Sequence, residues 1–144
     1  MSSTFSPCLD RFKALFNEMS AHQLGELDDV YAQDVIFTDP FVSVHGLNEL
    51  GRYFTSAYAN VISCSFDFDE AVRGEQGVCL PWTMTLQHKR IRRGQPVQVE
   101  GISRLRIVDD KVVLHRDYFD AGQLLYENVP VLGTAVRWLR KYAA

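Results

Sequence analysis

Long hydrophobic runs are missing from this sequence. No stretch of its 144 residues approaches the ~18–20 apolar residues that a membrane-spanning helix needs. The opening MSSTFSPCLDRFKALF has neither the basic start nor the unbroken apolar run of a secretory leader. A cytoplasmic protein without stable membrane insertion is therefore expected. Cysteine is scarce: Cys8, Cys64 and Cys79 are three in number and scattered, with no C-x-x-C pair, so they read as reduced thiols and not as staples or a zinc site. His22, His45, His88 and His115 show no H-x-x-x-H spacing, and no metal is expected. Nor is there an excess of positive charge. Fifteen basic against eighteen acidic residues leave a net charge of −3, which gives no general attraction for nucleic acid. What is abundant is apolar material: 47% hydrophobic residues, with nine Phe, six Tyr and two Trp, enough for one well-filled core. A single domain over 1–144 is expected, since no composition shift or linker divides the chain.

Helical spacing dominates the first sixty residues. Ser6-Pro7 supplies an N-cap followed by proline at the first helical position, and Leu9, Phe12, Phe16 and Met19 recur as one buried stripe. A second, shorter helix is expected to carry Leu24, Leu27 and Tyr31. Residues 35–39 then read as a strand closed by Pro40, which lacks a ladder donor. After His45-Gly46 a further helix carries Leu47, Leu50, Phe54 and Tyr58 on one face. From 61 to 119 the period changes to two, broken near Gly74, Gly94 and Asp109-Asp110, which predicts four antiparallel strands with a two-residue hairpin at the last break. Helices first and strands afterwards predict an α+β fold: a cone-shaped, curved, mixed or antiparallel sheet with the N-terminal helices packed on its concave side. The mouth of such a cone is a natural place for a small-molecule pocket.

The strand alternation sorts side chains by face. Trp82, Met84 and Leu86 share the inward side of one strand with His88, and Val99, Gly101, Ser103, Leu105 and Ile107 share that of the next. On the last strand His115, Asp117 and Phe119 lie opposite Leu114, Arg116 and Tyr118, so one face must bury charge. A short Asp cannot snorkel to water, and an inward Asp117 needs a partner or a raised pKa. Phe37 and Asp39 fall together on the first strand. A carboxylate beside an apolar face suits a general base, whereas Asp-Pro is also an ordinary turn opener; both readings stand. His115 and Asp117 form either an acid/base pair facing Asp39 across a narrow pocket or a buried polar network that satisfies itself.

The stretch 31–41, YAQDVIFTDPF, followed by His45-Gly46, resembles the nuclear transport factor 2-like superfamily. The likeness is strongest to its SnoaL-like branch, with ketosteroid isomerases, limonene epoxide hydrolases and polyketide cyclases. Residues 111–120, with Arg116-Asp117-Tyr118-Phe119-Asp120, look like the last-strand motif of the epoxide hydrolases. The resemblance implies the same cone-shaped fold and a homodimer formed through the outer sheet face. It places Asp39 on the isomerase general base, which moves a proton next to a carbonyl. The isomerase holds its enolate oxygen with a tyrosine and a protonated aspartate. This chain has Leu15 or Phe16 and Ser103 there, so that oxyanion hole is missing. Asp117 matches the hydrolase carboxylate that handles a proton at the epoxide, but the hydrolase's paired Arg and Asp fall near Trp82 and Met84. Where the hydrolase keeps an Asn and a Tyr, this chain has Asp39 and Phe37. The polyketide cyclases, which use one acidic residue on an activated ketone, fit with the fewest departures.

The expected site therefore has Asp39 as proton-transfer base and Asp117 with His115 as its acid or orienting partner. Phe16, Phe37, Phe54, Trp82, Met84, Leu86, Ser103 and Phe119 would line an apolar pocket for a small hydrophobic ketone or epoxide, with no cofactor. A non-catalytic module holding a hydrophobic ligand in the same pocket, or the epoxide-hydrolase-like activity through Asp117 that the resemblance implies, is the alternative. Asp67, Asp69 and Glu70 alternate with Phe66 and Phe68 and read as the wet side of a strand. Lys89 to Arg93 read as a solvated hairpin tip. The tail 131–142, with Val136, Trp138 and Leu139 among Arg137, Arg140 and Lys141, reads as an amphipathic helix. Docking against its own fold or a twin subunit is expected of it before a membrane surface.

Overall fold

The computed structural model describes residues 5–19, 26–124 and 130–144, without the side chains of 130–133 and 136. The expected His22 and Leu24, and the side chains of Val131 and Val136, lie outside the described residues. The elements are α1 (Ser6–Glu18), a 3₁₀ turn (Leu27–Asp29), β1 (Tyr31–Thr38), β2 (Ser43–His45), α2 (Leu47–Tyr58), β3 (Val61–Phe68) and β4 (Val72–Arg73). They continue with β5 (Gly77–His88), a 3₁₀ turn (Arg92–Gly94), β6 (Val97–Val108), β7 (Lys111–Phe119), α3 (Ala121–Leu124) and α4 (Pro130–Ala143). One mixed sheet runs in the order β2-β1-β7-β6-β5-β3, with β4 beside β5. Only β1 against β7 is parallel; the other described pairs are antiparallel.

The helices lie on the inner face for the reason their spacing gives. Leu9, Phe12, Phe16 and Met19 of α1, joined by Cys8 and Leu15, are buried against Leu50, Phe54 and Tyr58 of α2 and the inward residues of the strands. Arg11 fixes the outer side of α1, donating to the Asp29 carbonyl at 3.0 Å and to Asp110 at 2.9 Å, and Lys111 donates to the Asp28 carbonyl. The β6–β7 hairpin turns at Asp109 and Asp110, whose φ of 52° and 62° is the left-handed pair that a two-residue turn requires. A bulge shifts the β6–β7 register between Arg106 and Ile107. It lets Val112 and His115, three residues apart, both point inward.

Two local expectations are corrected. Phe5, not Ser6, occupies the cap of α1 and makes no side-chain cap bond; Ser6 is already helical. The second helix shrinks to the turn Leu27–Asp29, and Tyr31, expected on it, opens β1 four residues before the expected strand. Tyr31, Val35 and Phe37 are all buried, so the inner face of the sheet claims a segment whose apolar spacing also suits a helix. Asp39 falls just past the strand end. The hairpin tip at 89–93 and the acidic residues 67, 69 and 70 are solvent-facing, as read, apart from half-buried Ile91. The tail is helical, and its described side chains at 134, 135 and 137–144 are all exposed. No helix among the described residues is long and apolar enough to cross a membrane.

Candidate functional site

The register of three strands assembles a polar chain inside the aromatic core. Ser103 on β6 stands opposite Asp117 on β7, Leu105 opposite His115, and Trp82 on β5 opposite Gly101. Gly101 has no side chain, so the Trp82 indole lies across it and reaches diagonally to Ser103. Trp82 Nε1 can only donate, and this fixes the direction of the chain. It donates to Ser103 Oγ at 2.9 Å, and Ser103 in turn donates to Asp117 Oδ1 at 2.5 Å. From the other side His115 Nε2 meets the same oxygen at 2.7 Å, while His115 Nδ1 meets the Tyr31 hydroxyl at 2.8 Å. Burial, with the nearby Asp117 charge second, pushes the Tyr31 hydroxyl well above its ordinary range. Tyr31 thus keeps its proton; because an ionised carboxylate can only accept, His115 Nε2–H is the donor to Asp117, and Nδ1 of the neutral ring then accepts from Tyr31.

The surroundings are apolar. His115 is 1% exposed and packed edge-on by Phe12, Phe16 and Phe37 at centroid distances of 5.2, 5.9 and 4.8 Å. Asp117 retains 18% side-chain exposure, and both of its bonds end on Oδ1; Oδ2 has no partner among the described residues. A cavity of about 20 Å³ is lined by Phe12, Phe16, Phe66, Phe68, Trp82, Ser103, His115 and Asp117. That volume suits about one water. No buried side-chain nitrogen or oxygen among the described residues lacks a hydrogen-bond partner, so the network is complete as it stands.

Asp39 occupies a different setting. Its Oδ1 caps the following turn, accepting from the Phe41 and Val42 amides at 2.8 and 3.0 Å, and its Oδ2 accepts from the Tyr53 hydroxyl. Burial, then the bond to Asp39, pushes the Tyr53 hydroxyl above its ordinary range, so Tyr53 is the donor. Phe37 packs on both His115 and Tyr53, at 4.8 and 5.5 Å between ring centroids, and so touches the partner of each acidic group.

Of the expected site residues, the cavity gathers Asp117, His115, Ser103, Trp82 and Phe16. Asp39, Phe37, Phe54, Met84, Leu86 and Phe119 are not on its wall. Phe37, Phe54 and Leu86 are buried, and Met84 and Phe119 half-buried. The expected apolar cone is largely filled with rings: Phe12 and Phe16 lie 4.8 Å apart, Phe66 stacks on Phe68 at 5.6 Å, and Trp82 meets Phe66 at 5.3 Å. Tyr31 and Tyr53, the partners that orient His115 and Asp39, were not singled out from sequence. The signal for Tyr31 was its parity with Val35 and Phe37, three inward residues with odd numbers; for Tyr53 it was its place beside Phe54 on α2.

Comparison with known proteins places this geometry. A family model for the SnoaL-like domain matches residues 12–115, which span the cavity wall from Phe12 to His115. No curated protein matches at the sequence level. Among solved structures, a protein of ketosteroid isomerase-like fold from Catenulispora acidiphila DSM 44928, crystallised with trimethylamine, superposes with a TM-score of 0.72 at 16% identity, over 87% of this chain and 94% of that one. A protein from Jannaschia sp. CCS1 assigned as a SnoaL-like polyketide cyclase gives 0.73 at 14%, over 89% and 95%. An epoxide hydrolase of the limonene epoxide hydrolase-like kind from M. tuberculosis gives 0.66 at 15%, over 90% and 92%. Identities this low establish the shared fold and leave activity to the site itself. With the model covering most of its length, this chain belongs to the SnoaL-like domain family.

Proposed function

We propose that the chain is a small-molecule enzyme that moves a proton on a hydrophobic ketone- or epoxide-like substrate, with Asp117 as the group that takes or gives the proton. One observation carries this reading: both donors to Asp117, a residue of the aromatic cavity wall, converge on Oδ1, which leaves Oδ2 without a partner among the described residues. On a ketone, Oδ2 would take a proton from the carbon beside the carbonyl. The C–H electron pair becomes the C=C bond as the carbonyl π pair moves onto oxygen, and the resulting carboxylic acid returns the proton to carbon, or to the alkoxide formed when the enolate carbon adds to a second carbonyl. His115 and Ser103 are positioning residues that hold Oδ1 so that Oδ2 points the right way. A substrate larger than water enters only if rings give way, and Phe66 and Phe68 on β3 are the half-buried members of the wall.

Asp39 remains a proposed second base, hydrogen-bonded to Tyr53, and would carry the isomerase-like version of the same chemistry. The two separate by experiment. Ligands found by thermal shift among steroid enones, terpenoid epoxides and polyketide-like ketones would be assayed for turnover, and ketone hits for deuterium uptake beside the carbonyl in D₂O. Asp117→Asn is expected to abolish both while leaving binding nearly intact. Unchanged rates in that variant, with loss in Asp39→Asn, would transfer the role to Asp39.

A non-catalytic module is the second reading, and the satisfied buried groups of the network favour it. A self-satisfied polar network under filled rings needs no chemistry to explain it. Ligand binding without proton exchange would support it.

A further inference from the structure

Helix α4 is unlike the rest of the molecule in charge and in cover. It carries Arg137, Arg140 and Lys141 and no acidic residue, whereas the other 130 residues hold twelve basic against eighteen acidic side chains. At roughly 100° per residue, the three cations fall within one arc of the helix. Ala135, Trp138, Leu139 and Tyr142 fall in the opposite arc. The described side chains confirm that this apolar arc has no cover: Trp138 is 61% exposed, Leu139 55% and Tyr142 79%. Seven successive exposed residues, 137–143, sample every side of the helix, so none of its last two turns is buried. The Trp138 and Tyr142 rings stack on each other at 5.5 Å and 18°, forming one aromatic plate beside the cations.

We infer that α4 is a docking helix for an anionic lipid surface, lying in the plane of the headgroups. Tryptophan and tyrosine are the residues that settle at headgroup depth, with an apolar body toward the chains and a polar edge toward water. Arginine and lysine stems can lie along the same boundary while their heads reach lipid phosphates. Charge complementarity also orients the molecule: an anionic surface attracts the cationic helix and repels the acidic body, so the domain would sit above the surface with α4 beneath it. A helix of this length lies on the membrane and does not cross it.

The test uses the full chain with vesicles of phosphatidylcholine alone or mixed with equal phosphatidylglycerol, read by co-sedimentation and tryptophan emission. Trp82, the other tryptophan, is buried at 6% exposure, so a blue shift on binding reports Trp138. Binding is expected to the anionic vesicles, weakening with salt. Loss of three cations in R137E/R140E/K141E should lower it by at least on the order of a hundredfold. Trp138→Ala with Tyr142→Ala should remove it, with circular dichroism confirming that the fold is kept. Failure of the unaltered chain to bind anionic vesicles would overturn the inference, as would binding that neither variant weakens. A dimer in light scattering that Trp138→Ala with Tyr142→Ala dissociates, without vesicle binding, would overturn it in favour of a second copy of the chain.

Discussion

A methyl group added at Gly101 is the sharpest probe of the site. Built on the existing backbone, its Cβ would lie 2.4, 2.6 and 2.8 Å from three atoms of the Trp82 ring, distances that real contacts do not show. The backbone cannot yield easily, because ten register pairs tie β5 to β6 around this point. The indole must move instead, from a place where it is buried and packed on Phe66 and Phe119. Overpacking of this kind costs about 1–3 kcal/mol. Pulling Nε1 away from Ser103 leaves a buried donor unpaired, which adds about 1–3 kcal/mol. The combined loss of about 2–6 kcal/mol should lower Tm by roughly 5–20 °C in a domain of this size. Thermal and urea unfolding would measure it, and near-ultraviolet circular dichroism would show the indole displaced. Adding Trp82→Phe should recover part of the loss, because the smaller ring relieves the clash, so the two changes should be non-additive. A Gly101→Ala protein with Tm within about 2 °C of the parent and an unaltered aromatic spectrum would refute the packing that positions Asp117.

Three further outcomes follow from the same coordinates. Gly77→Ala should destabilise at least as strongly, since its Cβ would fall 1.9 Å from the Leu105 carbonyl oxygen, a backbone atom that cannot rotate away; urea unfolding checks it. Tyr31→Phe removes the donor to buried His115 Nδ1 and should cost about 1–3 kcal/mol, while ¹⁵N spectra of the His115 ring should keep the Nε2–H tautomer that Asp117 holds. Stability should decline in alkali: burial pushes the Cys64 thiol from 9.0 up to about 11, so above pH 9 the unfolded chain loses a proton that the folded chain retains, and stability falls until about pH 11. Tyr58, raised by burial and by its neighbour Cys64, extends the decline. Denaturant titration across that range tests the sign, and Cys64→Ala should flatten its first part.

Much of this protein is local physics and is legible in the chain. The stripe at Leu9, Phe12, Phe16 and Met19 specifies α1, the stripe at Leu50, Phe54 and Tyr58 specifies α2, and the alternation after 61 specifies the meander, because burial of one face dictates each period. The inward side of His115 and Asp117 was readable for the same reason. What alternation could not supply is register. That Ser103 stands opposite Asp117, that Trp82 lies over Gly101, and that Tyr31 reaches His115 across 84 positions of sequence all depend on which residues pair between strands. The bulge that turns both Val112 and His115 inward belongs to that pairing too. Tertiary packing also decided the size of the cavity. Composition counts aromatic rings, but only their interlocked arrangement shows that they fill the cone down to about one water. It likewise gave Asp39 and Asp117 different settings, because a turn cap and a core network answer to different backbone neighbours.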